Sequence, residues 1–190
     1  MTPASVERAG GRAVAPLVLA AGCALLMLRP ELRGVDAATA VLAVTYALVL
    51  VASATAPLPG APQDAAPAMR PVAVLAAGVG AVVLASAVGG SRIATPVSAW
   101  APGLNVLAAV AEEALFRRLA YGWLLRLGPA VAVLASATLF ALVHVPVYGP
   151  AAIPVDLGAG LLLSWQRSAS GTWTVPAATH AVANLVWTLR

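Results

Sequence analysis

Within residues 111–120, AEEALFRRLA, two adjacent carboxylates, Glu112 and Glu113, are followed by two adjacent guanidiniums, Arg117 and Arg118. The chain's only histidines, His144 and His180, lie on later apolar stretches. A carboxylate can take a proton from water, and imidazole or amide N–H groups can stabilise the oxyanion that forms when water attacks a carbonyl. These residue types therefore suit hydrolysis with water as the nucleophile. A covalent serine or cysteine route finds no support. No GxSxG is present, and Cys23, the single cysteine, has no acid–base partner nearby in sequence. One cysteine also rules out an intrachain disulfide.

The spacings order these groups. Glu113 precedes Arg117 by four residues, acid before base, which lets them pair on one helix face. Glu112 is turned by about 100° from Glu113 and does not share those contacts equally, so one carboxylate is structural and the other is left for chemistry. Gly128-Pro129 reads as a turn that ends one helix and opens the next. Glu112 lies sixteen residues before Gly128 and His144 sixteen after it. In an antiparallel hairpin both then stand about 24 Å from the turn, at one level. Phe140 with His144 and His180 with Asn184 each show the i, i+4 spacing of one helix face. Ionisable groups inside a membrane segment face the bundle interior, so Glu112, Glu113, Arg117, His144, His180 and Asn184 can converge on one buried, hydrated cavity.

The elements that must carry these residues are apolar. Of 190 residues, 61% are hydrophobic and 9% charged, with a mean hydropathy of +0.91, against about 25% charged residues in a soluble domain. The class is an integral membrane protein. At about 20 apolar residues per span, segments are predicted near 13–29, 37–56, 71–90, 99–127, 129–147, 151–166 and 172–189. The last two are short or interrupted, and the fold class is all-α, a polytopic transmembrane helical bundle of six or seven spans. Backbone amides in hydrocarbon need partners within their own segment, and no alternating short strands suggest a barrel. The longest break, 57–70, reads as a flexible loop. All eleven basic residues are Arg, and the net charge is +4. They are scattered at segment ends without interleaved aromatics, which argues for snorkelling and against nucleic acid as a partner. Arg8, Arg12, Arg70, Arg126 and Arg167 would share one side and Arg29, Arg33, Arg92 and Arg190 the other, favouring a cytoplasmic N-terminus by five to four.

Three motifs carry a resemblance. EEALFR (112–117), FALVH (140–144) and HAVAN (180–184) resemble the EExxxR, FxxxH and HxxxN motifs of the CPBP family of intramembrane glutamic proteases, which includes type II CAAX prenyl endopeptidases and bacterial relatives linked to bacteriocin processing and immunity. The order of the motifs, each on its own apolar segment, makes the combination specific. The resemblance covers about 99–190 and implies a catalytic transmembrane core there, while the apolar pattern alone gives peripheral transmembrane helices over 13–98 and an N-terminal tail over 1–12. It implies that Glu112 is the general base on water and that His144 helps hold that water. Glu113 with Arg117 would brace the site, and His180 with Asn184 would bind the oxyanion.

The expected partners are the lipid bilayer and a peptide or protein substrate with a membrane-embedded or membrane-proximal cleavage site, and the expected location is a bacterial plasma (inner) membrane. Neither a cofactor nor a metal is expected. Two other classes fit the residues: a zinc-dependent membrane protease using His144, His180 and a Glu, and a non-catalytic protein of the same fold in immunity, transport or assembly. Arg118 and Arg126 are expected to snorkel at the membrane edge. Asp156 either caps a short helix or lines the cavity.

Overall fold

The computed structural model describes residues 3–32, 37–58, 68–88 and 98–189, with side chains from residue 13 onward. Helix α1 runs Pro3–Met27, α2 Arg29–Leu32, α3 Ala38–Thr55, α4 Pro71–Val88 and α5 Ala101–Glu113. The backbone then widens into a π-helical turn, Ala114–Ala120, before α6 (Tyr121–Leu124) and a 3-10 turn, Leu125–Leu127. After these come α7 (Pro129–Tyr148), a 3-10 turn at Pro150–Ala152, α8 (Ile153–Ser170) and α9 (Thr174–Thr188). All regular structure among the described residues is helical, as the apolar segments predict. The expected loop over 57–70 falls largely on residues 59–67, outside the described set, as do Arg33, Arg92 and Arg190.

Three described helices are long and apolar enough to cross a membrane: α3, α4 and α7, with mean hydropathies of 1.9, 2.2 and 2.1. The six or seven spans expected from sequence are not reached on this criterion. Among the site-forming helices α7 qualifies, and the others fall short in length or apolarity. Helix α5 has 13 residues before the π-helical turn and α9 has 15, while α8, with 18, carries Asp156, Gln166 and Arg167.

The expected Gly128-Pro129 turn is present. Gly128 has φ 105°, a region closed to most side chains, and Pro129 opens α7 where a missing N–H costs nothing. Helix α7 packs on α8, α5 on α9 and on α3, and α4 against α8 and α9. Small residues allow the closest approach. A Cβ on Gly160 of α8 would stand 2.9 Å from the Ala137 carbonyl of α7. Gln166, fully buried on α8, donates from Nε2 to the Val74 carbonyl on α4 at 2.9 Å and to Thr179 Oγ1 on α9 at 3.0 Å, tying three helices together. Leu26, Leu115, Phe116, Leu119 and Phe140 form the buried apolar layer on which the polar residues rest.

Candidate active site

Glu112 and Glu113 end α5, and the π-helical turn begins at the next residue. Such turns are uncommon and are frequent at functional sites, because the extra residue per turn re-aims neighbouring side chains. Arg117 lies inside it and is fully buried. Its Nη1 donates to Glu113 Oε1 at 2.9 Å and its Nη2 to the Gly160 carbonyl at 3.0 Å, with the guanidinium 4.5 Å from the centre of the Phe140 ring. Arg167 of α8 donates Nε–H to the Arg117 carbonyl at 3.2 Å. The pair expected from the four-residue spacing therefore forms, anchored to α7 and α8.

Glu112 is 2% exposed, and its two oxygens have different neighbours. Oε1 accepts from Arg29 Nη1 at 2.6 Å. Oε2 lies 3.7 Å from His144 Nε2 and 3.9 Å from His180 Nε2. The depth arithmetic thus brings Glu112 and His144 together, although the backbone between them is α, π and 3-10 in turn and not one uniform helix.

The outer nitrogens of both rings are occupied. His144 Nδ1 is 2.7 Å from the Phe140 carbonyl, and His180 Nδ1 is 2.9 Å from Glu113 Oε1. A carbonyl and a carboxylate only accept, so each Nδ1 carries hydrogen. In a neutral ring Nε2 is then an acceptor, and in the imidazolium it is a donor. Both rings present Nε2 toward the same carboxylate oxygen. Phe140 packs against His144, His180 and Phe116 with ring centres 4.6, 5.6 and 5.6 Å apart, so the phenylalanine of the FALVH run sets the ring positions.

Asn184 stands one turn beyond His180, and its Nδ2 donates to the Asn105 carbonyl of α5 at 3.0 Å, while Asn105 Nδ2 donates to Thr188 Oγ1 at 2.7 Å. One amide hydrogen of Asn184 is thus used to join α9 to α5.

Arg29 is the residue that sequence reasoning missed. Its place at the end of an apolar segment suggested snorkelling, yet it is 5% exposed and bonds Glu112, the Leu26 carbonyl at 2.7 Å and the Val143 carbonyl at 3.4 Å. The available signal was an unpaired Glu112 in need of a cation, once Arg117 was assigned to Glu113. Arg118 has partners of its own at the end of α3. It is partly buried and donates to the carbonyls of Ser53 and Ala56 at the C-terminal end of α3, where a cation meets the negative end of the helix. Arg126 lies over the Trp123 ring at 4.0 Å. Asp156 is half-buried in the first turn of α8. No three His, Cys, Asp or Glu side chains among the described residues are grouped so as to hold a metal.

Residues 94–186 match the model of the family described as type II CAAX prenyl endopeptidase, Rce1-like. This segment, just under half of the chain, is similar to the Rce1-like family and supports its assignment there. No curated protein and no solved structure matches the chain. The Rce1-like segment contains all three motifs, and with the apolar helices it makes the chain an integral membrane protein of a protease, hence hydrolase, family acting on a peptide or protein. Arg29 lies outside the Rce1-like segment and reaches into its polar centre.

Proposed function

We propose that the chain is an intramembrane glutamic endopeptidase, in which Glu112 activates water to hydrolyse a peptide bond of a membrane-associated or secreted peptide. The observation that carries this reading is the division of the Glu112 carboxylate: Arg29 engages Oε1, while Oε2 faces two imidazole nitrogens. Water between Oε2 and His144 Nε2 would donate one hydrogen to each. Glu112 takes one proton as the water oxygen attacks the carbonyl carbon of the scissile amide.

The carbonyl oxygen becomes an oxyanion. His180 as imidazolium donates to it from Nε2 while Nδ1–H stays on Glu113, and the second amide hydrogen of Asn184 is the further donor. Glu112 then passes its proton to the amide nitrogen, the C–N bond breaks, and a carboxyl and an amine terminus leave. Glu113, Arg117 and Arg29 are positioning residues. The expected setting is a bacterial plasma membrane, with the site on the side opposite the N-terminus because Arg29 follows the far end of α1.

A second reading is favoured by one feature. Both Nδ1 atoms are tied to a carbonyl or a carboxylate while both Nε2 atoms face one carboxylate oxygen, which is how metal-binding histidines are held. As described, Glu112, His144 and His180 are not grouped as a metal site, so this reading requires the three to close in; a zinc ion held by them would polarise the carbonyl and activate water.

The test is cleavage of a membrane-peptide library by the purified full chain in nanodiscs, read by mass spectrometry. Cleavage that survives EDTA and is lost in Glu112→Gln supports the glutamic mechanism. Cleavage lost on chelation and restored by zinc assigns the metal mechanism. An uncleaved library with retained biological activity in Glu112→Gln assigns a non-catalytic role.

A further inference from the structure

Asp156 follows the tight reversal at Gly149–Ala152 that joins α7 to α8. His144 lies five residues before Gly149 and Asp156 four after Ala152, so the two are at a similar level on paired antiparallel helices. Asp156 is also one helical turn from Gly160, whose carbonyl holds Arg117, and shares its face of α8. It stands within electrostatic range of His144, Glu112, Arg29 and His180.

One of its carboxylate oxygens, Oδ2, is closed off from solvent and has no hydrogen-bond partner among the described residues. Buried carboxylates are ordinarily paired or hydrogen-bonded. The neighbouring cations bond elsewhere. Arg29 bonds Glu112 and the Leu26 and Val143 carbonyls, Arg117 bonds Glu113 and the Gly160 carbonyl, and His180 Nδ1 faces Glu113. Asp156 as a whole is only half-buried, which leaves it open to an incoming group.

Resting on the protease reading above, we propose that Asp156 is a specificity-determining residue that binds a cationic group, an ammonium or guanidinium, on the peptide substrate beside the scissile bond. A site whose carboxylate has a buried oxygen without a partner disfavours an uncharged isostere, because that oxygen then stays unpaired.

The test uses otherwise apolar peptides of about 20 residues, each with one Lys or one norleucine placed at successive positions. Binding to the full-length Glu112→Gln protein in nanodiscs is read by fluorescence anisotropy, and cleavage by the wild type is read in parallel. The expected result is at least tenfold tighter binding of Lys over norleucine at one or two adjacent positions, a ratio near one when Asp156→Asn is added, and a retained ratio with Asp156→Glu. The absence of a Lys preference, or a preference that persists in Asp156→Asn, overturns the proposal. Binding does not depend on turnover. A Lys preference without wild-type cleavage would therefore reject the protease reading while keeping the cation site, and cleavage without a Lys preference would do the reverse.

Discussion

Arg29 Nη1 stands 2.6 Å from Glu112 Oε1, and this contact joins a residue just after α1 to the polar centre of the Rce1-like segment 83 positions later. The guanidinium compensates a carboxylate that burial would otherwise penalise, and it fixes which oxygen is left toward the histidines. Both partners are almost completely buried, so neither can exchange the other for water.

Arg29→Ala is expected to lower kcat by at least tenfold and to destabilise the protein by about 3–5 kcal/mol, the usual cost of leaving one partner of a buried pair uncompensated. Arg29→Lys should fall between, because an ammonium keeps the charge but not the fork that also reaches the Leu26 and Val143 carbonyls. Peptide-cleavage kinetics together with thermal unfolding in detergent check this. Wild-type kcat in Arg29→Ala would remove the positioning role.

The two adjacent carboxylates should separate in the same measurements. Glu113→Gln takes the counter-charge from Arg117 and leaves His180 only a neutral amide oxygen as acceptor, so it should lose about 3–5 kcal/mol of stability and part of the activity. Glu112→Gln should abolish cleavage and, because it leaves the buried Arg29 guanidinium without its counter-charge, cost a similar amount of stability. Equal losses of kcat from both would contradict the division of labour between base and brace.

Arg118→Met tests whether Arg118 only anchors the end of α3 or also serves the site. Loss of its bonds to the Ser53 and Ala56 carbonyls should cost about 1 kcal/mol, in the range of hydrogen-bond and helix-end contributions, and leave kcat within twofold of wild type. A tenfold loss of kcat would mean that Arg118 takes part in the site.

Gly160→Val should destabilise the protein by about 1–3 kcal/mol and lower kcat as well, because the added atoms meet the Ala137 backbone and move the carbonyl that holds Arg117. Gln166→Leu should cost a similar amount by leaving the Val74 carbonyl and Thr179 without their donor, while changing kcat far less. Comparing the two separates helix packing from support of the site.

The Glu113–Arg117 pair and the meeting of Glu112 with His144 were legible because both follow from local periodicity and one turn: an i, i+4 step, and equal counts on either side of Gly128. The helical class followed from apolar composition. Arg29 was not legible, since its partner lies 83 residues away and nothing local distinguishes a buried arginine from a snorkelling one. The π-helical turn was also hidden, because ALFRRLA has no residue that disfavours a regular helix. Span number is not settled by apolar length alone: three described helices meet the length and apolarity of a span, and the π-helical turn divides the 99–127 segment into shorter helices.

The most direct test of the central claim is single-turnover cleavage of a peptide identified from the library, measured on wild type and Glu112→Gln in nanodiscs with and without EDTA. The account predicts EDTA-resistant cleavage by wild type and a loss of at least a thousandfold in Glu112→Gln, whose thermal unfolding still shows a folded protein. Cleavage by Glu112→Gln at a rate near wild type would contradict it.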